Sequence, residues 1–90
     1  MPVIKMPSAF QSYTQGLLDV PVQGKTVAEA MQELVILYPA LLPHLFNNQG
    51  KLRPFVNLFL GEENIRSLQG LDTLLEDKDV LRLVPSVAGG

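Results

Sequence analysis

Ninety residues, 47% of them hydrophobic and 18% charged, describe one folded domain and not a disordered chain. The absence of cysteine excludes disulfide frames, thiolate metal sites and thiol nucleophiles. The net charge of −2 comes with no Lys/Arg cluster for nucleic acid, no apolar run near the ~18 residues that span a membrane, and no signal-peptide pattern, so a soluble cytoplasmic protein is expected.

Residues 2–6 read as a short strand built on the β-branched Val3 and Ile4. Pro7-Ser8 breaks it, and the Ser, Gln, Thr and Gly of residues 8–16 read as a turn or loop. Leu17 to Val22 forms a second strand. Pro21 assigns it to a sheet edge, because proline cannot donate to a ladder. The two strands make an N-terminal hairpin.

Thr26 stands as a helix N-cap with Glu29 three residues on, the spacing of a capping box. Val27, Ala30, Met31, Leu34, Val35 and Tyr38 then recur at helical spacing, and Pro39 ends the helix. Leu41, Leu42, Leu45 and Phe46 suggest a short further turn of helix over the core, and Asn47-Asn48-Gln49-Gly50 a loop. Phe55 to Leu60 alternates as a strand, with Val56, Leu58 and Leu60 on one face and Phe55, Asn57 and Phe59 on the other. Residues 64–66 suggest a short strand, and Glu76 to Asp79 a polar turn. In the last strand, Val80 to Val84, Leu81 and Leu83 share one face and Val80, Arg82 and Val84 the other. Pro85 is expected to end it. The order predicts an α+β domain over residues 1–85, with a mixed four- to five-stranded sheet packed on one main helix and its first strand parallel to a later one. Residues 86–90 are expected to be a flexible tail.

The sequence stops at Gly89-Gly90. Alone, two terminal glycines suit a frayed end. Alternatively, they make a narrow end whose carboxylate, with a reference pKa near ~3.5, is ionised at neutral pH and available for activation.

The element order resembles the β-grasp fold of ubiquitin-like proteins. The C-terminal half resembles the prokaryotic sulfur carriers in Gly50-Lys51-Leu52, Phe55-Val56-Asn57, Glu63-Asn64-Ile65-Arg66, Gly70-Leu71-Asp72-Thr73, Asp77-Lys78-Asp79 and Pro85-Ser86-Val87-Ala88-Gly89-Gly90. The first half matches only in its pattern of elements. Three subfamilies share this plan: the small subunit of molybdopterin synthase, the thiamin carrier that feeds thiazole synthesis, and a carrier of a cysteine-synthesis route. The chain is long for a thiazole carrier, and its Gly-Lys-Leu lead and its last six residues are most similar to the cysteine-route carrier. One departure is Lys78, where family members often have glycine. A left-handed backbone there would strain lysine.

The resemblance implies a consumed and regenerated co-substrate with no catalytic residue and no bound cofactor or metal of its own. An E1-like adenylyltransferase, using ATP and magnesium, adenylates the Gly90 carboxylate. A sulfur donor protein displaces AMP to leave a thiocarboxylate, and an acceptor enzyme takes the sulfur. That acceptor is a cysteine synthase or the large subunit of molybdopterin synthase. Pro85 turns the chain outward because it lacks an N–H for pairing. Ser86, Val87 and Ala88 offer main-chain hydrogen bonds to a partner groove, and Gly89 gives clearance in its channel. Phe59, Arg82 and Val84, joined by Phe55, are expected on the sheet face away from the helix as a partner-binding patch. No nucleic-acid or membrane partner is implied. A protein modifier that forms an isopeptide bond through Gly90, or a plain interaction module, are the readings from other classes.

Other residues carry blander readings. His44 is a lone histidine with no second metal ligand nearby in sequence, hence a surface or half-buried residue. Glu62-Glu63 and the acids of residues 76–79 are solvated turn charges. The apolar run Leu34-Val35-Ile36-Leu37 is explained by burial against a sheet.

Overall fold

Alternation sets the N-terminal hairpin. Strands β1 (Val3–Lys5) and β2 (Asp19–Pro21) pair antiparallel with Ile4 opposite Val20. Those two side chains are buried, while Lys5, Asp19 and Pro21 are exposed. In the computed structural model, which describes residues 1–85, the sheet order is β2-β1-β5-β3-β4. β2 is therefore an edge strand, and Pro21 costs the sheet no central ladder bond.

The hairpin connection differs from the loop expected at residues 8–16. Ser8–Thr14 forms a 3₁₀ helix. Side chains three apart eclipse one another in that geometry. Phe10 and Tyr13 have this spacing, with Phe10 buried and Tyr13 packed on the core. Thr14 is fully buried, and its hydroxyl lies 2.6 Å from the Leu17 carbonyl oxygen and 3.2 Å from that of Gln11. Gln15, at φ 57°, and Gly16, at φ 89°, then turn the chain towards β2.

Helix α1 spans Val27–Leu37. Thr26 caps it, its hydroxyl oxygen accepting from the Glu29 N–H at 3.2 Å. The Glu29 carboxylate accepts from the Lys25 N–H at 2.8 Å, one residue before the cap. Two donors at the helix start are thus satisfied with the reach-back shifted by one residue. Val27, Ala30, Met31 and Leu34 are buried, and Val35 and Tyr38 pack at the margin of the core. After Pro39 the chain makes a 3₁₀ turn, Pro39–Leu41, and a short helix α2, Leu42–Leu45. Leu41 and Leu45 are fully buried. Leu42 points outward instead, and Phe46 is half-buried. The Asn47 side chain closes the next loop by accepting from the N–H groups of Gln49 and Lys51.

Strand β3 covers Val56–Leu60 and β4 only Glu63–Asn64. The strand expected at residues 64–66 gives way after Asn64 to a 3₁₀ turn, Ile65–Ser67. The Asn64 side-chain oxygen accepts from the Arg66 N–H at 2.9 Å, a local bond that competes with strand pairing. Before the last strand, the Asp79 N–H donates to the Glu76 carbonyl at 3.0 Å and the Glu76 N–H to the Asp79 carboxylate at 2.7 Å. Gln15 is the only non-glycine residue with positive φ among the described residues, so this turn accepts Lys78 without left-handed strain.

Strand β5, Val80–Pro85, lies between β1, to which it is parallel, and β3, to which it is antiparallel. Pro85 belongs to this strand, opposite Val56, and does not end it at Val84 as expected. The missing N–H costs no pairing, because β1 ends opposite Arg82 and the Val56 N–H bonds back to the Arg53 carbonyl. Leu81 and Leu83 face the core with Ile4, Val20, Val56 and Leu58, against the apolar side of α1. This five-stranded mixed sheet with one main helix is the β-grasp arrangement.

Candidate functional site

The period of two that buries Leu81 and Leu83 sends Val80, Arg82 and Val84 to the opposite, outer face of β5. The registers then place Asp19, Lys5, Arg82, Phe59 and Asn64 in one row across all five strands. The Arg82 guanidinium stands 5.3 Å from the centre of the Phe59 ring, a cation–π contact worth about 0.5–1 kcal/mol at an exposed site. Lys5 and Asp19 approach to 3.8 Å with both side chains more than half exposed, so the pair adds less than about 1 kcal/mol. Val84 lies one row further along, opposite Asn57, and is 36% exposed. Phe59, Arg82 and Val84 thus share one face.

Phe55, 39% exposed, stands just before β3 and lines a groove of about 440 Å³ with Phe10, Pro43, His44, Arg53 and Pro85. A second groove, about 380 Å³, runs between the end of β5 and the residues after β1, and is lined by Lys5, Met6, Pro7, Arg82, Val84 and Pro85 among others. Pro85, the last described residue, lines both. A larger groove of about 470 Å³ lies between α1 and the Asn47 loop and shares no lining residue with these two. Pro85 does not line it, and its size alone gives it no chemistry. Ser86, Val87, Ala88, Gly89 and Gly90 lie outside the described residues.

Two clusters escaped the sequence reading. The Arg66 guanidinium donates to the Asn57 side-chain oxygen at 2.6 Å and to the carbonyls of Pro54 and Val56 at 3.0 and 3.2 Å. Asn64 donates to the same Asn57 oxygen at 3.3 Å. β4 pairs only with Phe59 and Leu60, so Arg66 covers the part of β3 that β4 leaves without a partner strand. All three residues stand in the motifs that carried the resemblance. Their signal was a polar residue in mid-strand followed by an arginine. The second cluster stacks the His44 ring on Tyr13 at 4.5 Å, with Phe10 at 5.9 Å from His44. His44 is half-buried, and no group of three or more His, Asp or Glu side chains among the described residues is placed to hold a metal ion. No described helix is long and apolar enough to cross a membrane.

An aromatic ring under a guanidinium, an aliphatic side chain and two grooves thus lie around the C-terminal half of the central strand β5.

Comparison with known proteins places the chain in a family. The sulfur carrier protein CysO of Mycobacterium tuberculosis is 30% identical over 89 residues, covering 97% of this chain and 96% of that protein. A putative sulfur carrier protein of Archaeoglobus fulgidus is also 30% identical, over 87 residues, with 97% and 96% covered. The Amycolatopsis orientalis BexX/CysO complex contains a chain that superposes with a TM-score of 0.89 at 28% identity, covering all of both chains. The small archaeal modifier protein 1 of Methanosarcina acetivorans superposes at 0.85 with 29% identity, covering 99% of this chain and 95% of its own. The ThiS family model matches residues 7–90. With this family match and CysO similar over nearly its full length, the chain belongs to the ThiS family of ubiquitin-like sulfur carriers.

Proposed function

We propose that this protein carries sulfur as a thiocarboxylate on Gly90. Residues 1–85 form the body that partners recognise, and residues 86–90 reach into their active sites. The Gly90 carboxylate oxygen attacks the α-phosphorus of ATP in an E1-like adenylyltransferase, and pyrophosphate leaves. The terminal sulfur of a donor protein's persulfide attacks the acyl carbon and AMP leaves with its electron pair; a thiol then attacks the donor's sulfur in the resulting acyl disulfide, forming a disulfide with the donor and releasing the thiocarboxylate. The resulting thiocarboxylate gives its sulfur to an acceptor enzyme. ATP and magnesium belong to the partner.

The observation that carries this reading is the family match, which extends to residue 90, together with a sulfur carrier similar over nearly the whole chain. The CysO similarity favours a cysteine synthase as acceptor over the large subunit of molybdopterin synthase. The test is intact mass spectrometry after incubation with the adenylyltransferase, ATP, magnesium and a sulfur donor. Sulfur-for-oxygen exchange at Gly90 is expected, and an unchanged terminus rejects the proposal.

Similarity to small archaeal modifier proteins supports a second reading, in which the Gly90 acyl group forms an isopeptide bond with a lysine. High-mass conjugates in the native cell would support this reading, and their absence alongside a thiocarboxylate would leave the carrier alone.

A further inference from the structure

The charges of this acidic chain are unevenly placed around β5. Glu62 lies in the β3–β4 turn with Glu63 opening β4, and Glu76, Asp77 and Asp79 lie in the turn that leads into β5. Both turns sit where β5 begins, since Leu60 pairs with Leu81 and the Val3 N–H bonds to the Asp79 carbonyl. Further along β5, starting one register position past the Leu60–Leu81 pair, Lys5 and Arg82 line one groove beside Pro85, and Arg53 lines the other. None of the nine Asp and Glu side chains lines either groove. Asp19 approaches Lys5 from the adjoining strand, but Arg82 and Arg53 have no carboxylate within ion-pair distance among the described residues. A net negative protein thus lines both grooves at Pro85 with cations and no carboxylate.

Uncompensated surface cations steer association with an oppositely charged surface and oppose a like-charged one. We infer that the partner protein receiving the C-terminal segment presents acidic side chains on both sides of its channel mouth, meeting Lys5 and Arg82 across one groove and Arg53 across the other. The apolar contacts at Val84, Phe55 and Pro85 lie between these charged flanks. The inference rests on the carrier reading, because it takes the segment after Pro85 as what the partner receives.

The test measures the Kd of the full chain for the purified E1-like adenylyltransferase of the same organism, without nucleotide. Wild-type affinity is expected to fall at least about tenfold between about 50 and about 500 mM sodium chloride. Lys5→Glu/Arg82→Glu and Arg53→Glu are each expected to weaken low-salt binding about tenfold or more. Lys25→Glu and Lys78→Glu, which line neither groove, are expected to leave it within about twofold. Circular dichroism melting curves confirm that each variant folds. Folded groove variants that bind like wild type overturn the inference, as does a Kd indifferent to salt. Charge dependence seen only with ATP overturns it too, because the cations would then serve nucleotide phosphates. The mass of the terminus is read in parallel. Charge-dependent binding without sulfur exchange rejects the carrier proposal and leaves the acidic docking surface standing.

Discussion

The Arg66 guanidinium lies 2.6 Å from the side-chain oxygen of Asn57 and joins two segments nine residues apart in sequence. The same guanidinium holds the carbonyls of Pro54 and Val56, on the part of β3 beyond the two residues paired with β4. The other edge of that part carries Val84 and Pro85, the last described residues of β5. Arg66 thus braces the end of β3 that pairs with Val84 and Pro85.

Removing this brace has a local signature. Arg66→Ala is expected to cost about 1–2 kcal/mol, since three bonds from an exposed guanidinium are lost to solvent competition. Lysine lacks the planar fork, so Arg66→Lys should recover less than half of that. Urea denaturation gives the energies. Amide hydrogen exchange gives the location, with acceleration expected at Asn57 and Val84 and little change in the β1–β2 hairpin. Uniform acceleration would refute the local role.

Gly24 joins β2 to α1 at a close approach. A Cβ built there would lie 2.7 Å from the Ala30 backbone nitrogen, inside any tolerable contact and with no flexible side chain to yield. Gly24→Ala should therefore destabilise the fold by about 1–3 kcal/mol, read as a lower thermal midpoint. An unchanged midpoint would mean that the loop moves away from α1 at no cost.

The cap of α1 gives a third measurement. Thr26→Ala removes the hydroxyl that accepts from the Glu29 N–H and should cost about 1 kcal/mol. Thr26→Ser, which keeps the oxygen, should restore most of it. Chemical denaturation of the pair separates capping from the loss of the threonine methyl.

Gly89 tests clearance apart from folding. Gly89→Val is expected to melt like wild type and to yield little thiocarboxylate with the adenylyltransferase, ATP and sulfur donor. Wild-type stability with full sulfur exchange would show that the partner channel tolerates a branched side chain.

The elements most legible in the sequence were those where one physical signal dominated. The 3.6-residue recurrence from Val27 to Tyr38 set α1, and the alternation in residues 80–84 set which side chains of β5 face outward. Pro21 marked an edge strand through its missing donor. The Ser8–Thr14 3₁₀ helix was missed because Phe10 and Tyr13, three apart, sit among polar residues that suggest a loop. The role of Arg66 is not legible in the sequence, because its partners Pro54, Val56 and Asn57 are brought to it by the fold. The flanking grooves were illegible for a similar reason. Lys5, Arg53 and Arg82 are far apart in sequence and meet only around Pro85.

The central place of β5 has a mechanical consequence. A pull on the chain beyond Pro85 runs along a strand held on both sides, by five registered residue pairs with β3 and three with β1. Such a load shears two ladders at once, whereas an edge strand would peel bond by bond. A load applied there is carried by the whole sheet, which resists it without unravelling.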